Sequence, residues 1–404
     1  MDNNIWKHYS LPISTLSLVY SIGLGFFRHS VFEDLGFIDS LRDSLQYALL
    51  CHLNYTFYEL FQGVNMKSYS PYVNGLMVII NGYLLRNTFR KYVCGVEYNK
   101  TIKCDNKVYI ITGCNTGIGY ETAKGIVLMG GTIIMACRSV DKANQARDSI
   151  VKTTNCSPDK LIVLPLDLCD FKSVREFVKL FEELKKPLNC LINNAGVMME
   201  DRNETKDGLE MVFTANHLSH HLLTNLLLPH LNKTNGRVVV LTSALHRLPN
   251  KFNFENVMST KQYSLFGTYS QAKLANVMFM KELQRRLEVV GSRVTCNAVH
   301  PGCVRTDVTR NMNAFMRIGN MLAAPIMWTL QKTGEQGAYS SIYAATSPEL
   351  TNKGGLYLFH CSPTKVNVAA TDLKDNDLLW KLSEEIVNGV KAPTDNDTKK
   401  KKKL

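Results

Sequence analysis

The chain has 404 residues, 45% of them hydrophobic and 20% charged, with a formal net charge of +12. That balance fits a globular protein with one large domain plus extra segments, and it excludes a wholly disordered or collagen-like chain. The eleven cysteines form no C-x-x-C pair, which argues for reduced thiols and against a zinc site; the basic residues are not interleaved with aromatics, which argues against nucleic acid as a partner.

Residues 1–100 read as an apolar extension that anchors the protein to a membrane. Leu11 to Phe27 runs 17 residues without a charge and ends at Arg28, the short edge of what crosses a bilayer. Leu45 to Phe61 is aromatic-rich and amphipathic, and Tyr72 to Leu85 is a second apolar stretch interrupted by Asn74 and Asn81. Arg86, Arg90 and Lys91 follow it, and basic residues there favour a cytoplasmic domain downstream. The competing reading of this extension is a folded helical cap.

From Lys107 the pattern alternates. Val108 to Thr112 predicts a strand, Tyr120 to Met129 a helix, Thr132 to Ala136 a strand, and Lys142 to Val151 a helix. Leu161 to Leu166, Cys190 to Asn193, Arg237 to Thr242 and Val294 to Val299 predict further strands with helical stretches between them. This is the βαβ rhythm of an α/β fold, a single Rossmann-like doubly wound parallel sheet spanning residues 101–390. Residues 391–404 are polar and lysine-rich and predict a disordered tail.

Gly113, Gly117 and Gly119 fall between the first strand and its helix, within Thr112-Gly113-Cys114-Asn115-Thr116-Gly117-Ile118-Gly119. Glycines there let the backbone approach a pyrophosphate resting on the helix N-terminus. The second strand then tests the cofactor. An NAD site ends that strand on a carboxylate for the ribose 2′-hydroxyl. Here it ends Ala136-Cys137-Arg138-Ser139, and a guanidinium grips a 2′-phosphate, so NADP(H) is expected over NAD(H).

Tyr269 and Lys273 stand four apart on one helical face, where an ammonium would lower the phenol's pKa and make it a usable acid and base. With 17 tyrosines and 31 lysines, chance alone supplies this spacing about once, and Tyr120/Lys124 is a second instance. Tyr269 is preferred because Ser243 closes a strand upstream, and open α/β sheets place their sites at strand C-terminal ends.

Taken together, the Thr112 to Gly119 turn, Asn193-Asn194-Ala195-Gly196, Asn216, Ser243, Tyr269/Lys273 and Pro301-Gly302 resemble the short-chain dehydrogenase/reductase family in order and spacing. Ala136-Cys137-Arg138, Asn216-His217-Leu218 and Ala298 to Gly302 are similar to its retinol dehydrogenase, WW-domain oxidoreductase and X-linked dehydrogenase/reductase branches. The resemblance implies that Tyr269 is the general acid/base, Lys273 its partner and a ribose ligand, Ser243 a donor to the substrate oxygen, and Asn216 a support for a proton-relay water. It implies cofactor contacts at Gly113, Asn115, Thr116, Gly117, Ile118, Gly119, Arg138, Asp167, Asn194, Ala195, Gly196, Tyr269, Lys273, Pro301 and Thr306. Ser219 departs from the family's usual glycine, which bears on packing; Thr242 replaces a common serine beside Ser243.

Residues 311–330 hold Met312, Phe315, Met316, Met321, Met327 and Trp328, an apolar wall suited to a lipophilic substrate. Lys401 and Lys402 stand at the fourth and third positions from the end, resembling a dilysine retrieval signal of endoplasmic-reticulum membrane proteins. The sequence therefore predicts a membrane-attached, NADP(H)-dependent oxidoreductase of lipophilic alcohols, with a homodimer compatible and no metal. The alternative is a cofactor-bound interaction protein on the same fold.

Overall fold

The computed structural model describes residues 93–304 and 331–389. The expected anchor stretches, the tail, Thr306 and the apolar wall at 311–330 lie outside the described residues. The compact unit begins at Val93, several residues before the expected boundary. Tyr98 belongs to it, buried with its ring 5.8 Å from that of Tyr339.

Eight strands form one sheet. They are β1 (Val108–Thr112), β2 (Thr132–Cys137), β3 (Leu161–Pro165), β4 (Cys190–Asn193), β5 (Arg237–Leu241), β6 (Thr295–His300), β7 (Tyr357–Phe359) and β8 (Ser362–Thr364). Their spatial order is β3-β2-β1-β4-β5-β6-β7-β8, parallel except for the β7–β8 hairpin. The order reverses between β1 and β4, and that switch point opens a crevice at the strand C-termini.

The strands read as unbroken apolar runs because both faces are covered. Along β1, Ile110 packs into one core while Tyr109 and Ile111 pack into the other. The second core is roofed by α1 (Gly117–Leu128), α2 (Val140–Thr154) and α6 (Gly334–Thr346). The first is roofed by α3 (Phe171–Glu183), α4 (Ser219–Thr234), α5 (Leu265–Val289) and α7 (Leu373–Val387). α3 shows why such a segment is helical: Val174, Phe177, Val178 and Phe181 recur at helical spacing, and Asp170 caps its start by accepting from the Lys172 and Ser173 N–H groups. Truncating Phe177, which is wholly buried, to alanine would cost about 3–5 kcal/mol.

The first two helices start earlier than predicted, at Gly117 and Val140, α1 stops one residue short of its predicted end, and α2 runs three residues further; the β7–β8 hairpin is absent from the sequence prediction. Its strands are three residues each, and its turn places His360 and Cys361 at φ +52° and +60° without glycine or asparagine. That conformation is the usual hairpin turn, but its usual residue signal is missing.

Candidate active site

The glycine turn is dictated by close approach. Gly113 has φ +64°, and a Cβ there would lie 2.9 Å from the Ala195 Cβ. A Cβ on Gly119 would meet Asn194 Nδ2 at 2.5 Å and Gly113 O at 2.6 Å. The turn therefore closes directly onto the Asn194-Ala195-Gly196 loop after β4. Asn194 Nδ2 donates to Thr112 O at 2.8 Å and to Gly113 O at 3.2 Å. The Thr112 hydroxyl oxygen accepts from the Asn194 and Ala195 backbone N–H groups, each at 2.9 Å.

These segments border a cleft of about 340 Å³. Gly113, Asn115 to Gly119, Arg138, Asp167, Asn194 to Gly196 and Pro301 line it, and so do Ser243, Tyr269 and Lys273. Every expected cofactor contact among the described residues thus reaches one cavity. A nicotinamide dinucleotide fits this surface on two structural grounds: a glycine cradle that a Cβ would fill, and the buried Asn194 Oδ1, which no group among the described residues satisfies. Lys142, one turn into α2, also lines the cleft beside Arg138. Sequence reasoning missed it because a lysine in an amphipathic helix carries no mark of which way it faces.

Asn216 sits in a widened helical turn, Thr214–Leu218, where the Ser219 N–H reaches back to Thr214 O. Glu210, fully buried, starts this run by accepting from the Val212 and Phe213 N–H groups at 2.8 and 2.6 Å. The Asn216 side chain ties this turn to the loop after β4: Oδ1 accepts from Val197 N at 2.7 Å, and Nδ2 donates to Val197 O at 2.9 Å. Asn216 is fully buried and does not itself line the cleft; its backbone carbonyl lies 3.1 Å from His220 Nδ1. Ser219, at the glycine departure, donates to Leu168 O at 2.6 Å and ties the helix to the loop after β3.

Ser243 follows β5 and caps a short 3₁₀ turn, accepting from Leu245 N at 3.3 Å. Among the described residues its proton has no acceptor, so it is available to a substrate oxygen. Thr242 donates to Lys273 O at 3.1 Å, pinning the end of β5 to the catalytic helix. Tyr269 and Lys273 are 9% and 2% exposed. Lys273 Nζ donates to Leu241 O at 3.2 Å and lies 5.5 Å from the centre of the Tyr269 ring.

The sequence predicts that Lys273 pulls the phenol down. The structure reverses that direction: burial holds the Tyr269 phenol above its ordinary value and lowers the Lys273 ammonium to about 8. Desolvation penalises both charged forms, and the ammonium is aimed at a carbonyl instead of the phenol oxygen.

The second Tyr-x-x-x-Lys pair is outside the cleft. Tyr120 Oη lies 2.9 Å from Ser149 Oγ on α2, and Lys124 faces Glu121.

Residues 107–317 match the model of the short chain dehydrogenase family, more than half of the chain. The chain belongs to that family. Human polyprenol dehydrogenase is 41% identical over 286 residues, covering 70% of this chain and 85% of that protein. Human retinol dehydrogenase 12 is 37% identical over 306 residues, covering 76% and 94%. Among solved structures, an uncharacterized protein from Mycobacterium paratuberculosis superposes with a TM-score of 0.58 at 30% identity, covering 72% of this chain and 98% of that one. A Beutenbergia cavernae structure carrying bound NADP shares the fold, with a TM-score of 0.50, 20% identity, and 64% and 96% coverage. This short-chain dehydrogenase is thus an oxidoreductase acting on CH–OH groups.

Proposed function

We propose that the protein interconverts a lipophilic alcohol and its aldehyde or ketone with NADP(H), the hydride being supplied or taken up by the cofactor. The carrying observation is that the glycine turn, Ser243, Tyr269 and Lys273 border one cleft. Ser243 donates to the substrate oxygen and orients it. The Tyr269 hydroxyl gives a proton to that oxygen in reduction and takes one in oxidation. Lys273 is held by Leu241 O near the Tyr269 ring, and the Asn216 carbonyl would end a proton-relay path, the role that the family resemblance implies for Asn216.

Gly113 to Gly119 would hold the pyrophosphate, Asp167 the adenine side, and Pro301 the nicotinamide side. Arg138 and Lys142 both line the cleft just after β2, and no carboxylate closes that strand, which supports binding of a ribose 2′-phosphate. The lipophilic class is supported by the names of the polyprenol and retinol dehydrogenase relatives, by Val197 and Met198 in the cleft wall, and by the composition of residues 311–330.

Attachment to the endoplasmic-reticulum membrane with a cytosolic catalytic domain belongs to the same proposal. It rests on the apolar stretches before residue 92 and on the terminal lysines. Among the described residues no helix is long and apolar enough to cross a membrane. Carbonate extraction tests attachment: release to the supernatant would sink it.

The deciding experiment follows NADPH and NADH absorbance in detergent against retinal, a polyprenal, a steroid ketone and short aldehydes. Turnover with NADPH and a long apolar carbonyl is expected. Turnover with NADH alone would overturn the cofactor proposal and keep the enzyme.

A further inference from the structure

His220 is buried in the first turn of α4, just past the widened turn that holds Asn216. Its Nδ1 lies 3.1 Å from Asn216 O, and its Nε2 lies 2.9 Å from the Thr112 hydroxyl oxygen. A carbonyl only accepts, so Nδ1 carries the proton; in a neutral imidazole Nε2 is then an acceptor. Thr112 completes the count. Its two lone pairs already receive the Asn194 and Ala195 N–H groups, so its one proton remains to be given. His220 Nε2 at 2.9 Å is a better acceptor position than Ile192 O at 3.5 Å. All positions on the ring and on the hydroxyl are then used once. A protonated ring would aim a second N–H at an oxygen with no lone pair to spare, and burial, which lowers His220 to about 4, keeps it neutral.

We propose that His220 is a positioning residue that links the two halves of the site through a single imidazole. One nitrogen holds the Asn216 carbonyl at the end of the proton path. The other fixes the Thr112 hydroxyl, which in turn holds the Asn194–Gly196 loop against the cofactor turn. Local helix bonding accounts for the first contact alone. The second joins α4 to the end of β1, 108 residues away in sequence. A Cβ on Gly196 would meet both Asn216 Oδ1, at 3.2 Å, and Lys273 Nζ, at 3.4 Å, so the widened turn that His220 holds borders the catalytic lysine. The proposal rests on the reading of the Asn216 carbonyl given above.

Two substitutions separate the two bonds. His220→Gln reaches Thr112 with its amide oxygen and leaves Asn216 O without its donor. His220→Asn places an amide N–H near the Nδ1 position and leaves Thr112 without its acceptor. Full-length protein in detergent is assayed for NADPH affinity by fluorescence quenching, for kcat and its solvent deuterium isotope effect, and for Tm.

His220→Gln is expected to bind NADPH within about twofold of wild type, with kcat at least about tenfold lower and a larger isotope effect. His220→Asn is expected to reverse this, weakening NADPH binding about tenfold with kcat reduced less than about threefold. Equal losses in every readout of both variants, tracking a fall in Tm, would overturn the proposal in favour of plain packing. Wild-type values in both variants would overturn it as well. Should wild type reduce none of the carbonyls, the functional reading fails separately, and the affinity arm still decides: weakened binding in His220→Asn alone supports the link, and equal binding in both variants refutes it.

Discussion

The first turns of α1 and the catalytic stretch of α5 carry the same spacing, Tyr120/Lys124 and Tyr269/Lys273, and do different things. The α1 pair meets Ser149 and Glu121 at the protein's outer side, where water already serves both groups. The α5 pair is buried against the end of β5, lines the cleft, and leaves the phenol oxygen with no partner among the described residues. Spacing sets how two side chains sit relative to each other; burial at the end of a strand decides whether they do chemistry.

The largest break in that comparison comes from removing the hydroxyl on each side. Tyr269→Phe is expected to lower kcat by about 10²–10⁴ with NADPH affinity intact, whereas Tyr120→Phe leaves kcat unchanged. Steady-state kinetics on both variants checks it, and an active Tyr269→Phe protein would refute the assignment.

The next effect is on stability. Burial lowers the Lys273 ammonium to about 8, below its ordinary 10.5. Between those values the unfolded chain binds more protons, so stability rises with pH through that window, and the burial penalty is fully present below it. Lys273→Met removes the penalty. Its stability gain over wild type should be on the order of 3 kcal/mol near neutral pH and should shrink toward about pH 10. Denaturant titrations across that range read it, and a gain that does not change with pH would contradict it.

A smaller effect falls on cofactor choice. Arg138→Glu places a carboxylate where the 2′-phosphate is expected, and the ratio of kcat/KM for NADPH over NADH should drop about tenfold or more. An unchanged ratio would shift the selectivity to Lys142. The smallest effect is the control: Lys124→Ala removes a half-exposed ion pair with Glu121 and should change stability by less than about 0.5 kcal/mol in thermal melts.

Much of the fold was legible. β1 and β4 begin and end where the apolar runs predict, because a strand buried on both faces needs unbroken hydrophobic residues. The β7–β8 hairpin was not legible, since three-residue strands have no readable period and their turn lacks the usual glycine. At the site, the glycine turn, Arg138 and the Ser243/Tyr269/Lys273 group all reach the cleft from sequence reasoning. Lys142 and His220 were missed, because which face of a helix meets the cleft depends on how that helix packs. The direction of the Tyr269 shift was misread for a related reason: sequence supplies the neighbouring charge but not the desolvation that outweighs it.

The sequence by itself determined the order of the first six strands and the helical stretches between them, the residue types at the chemistry and the family resemblance. These depend on local periodicity and on short motifs, which a linear chain carries openly. The tertiary structure decided which tyrosine is buried at a strand end, that the Asn216 amide pairs with Val197, and that His220 joins the Asn216 carbonyl to Thr112. Those outcomes depend on the sheet order, which sets β1 beside β4 and brings residues more than a hundred positions apart within hydrogen-bonding distance.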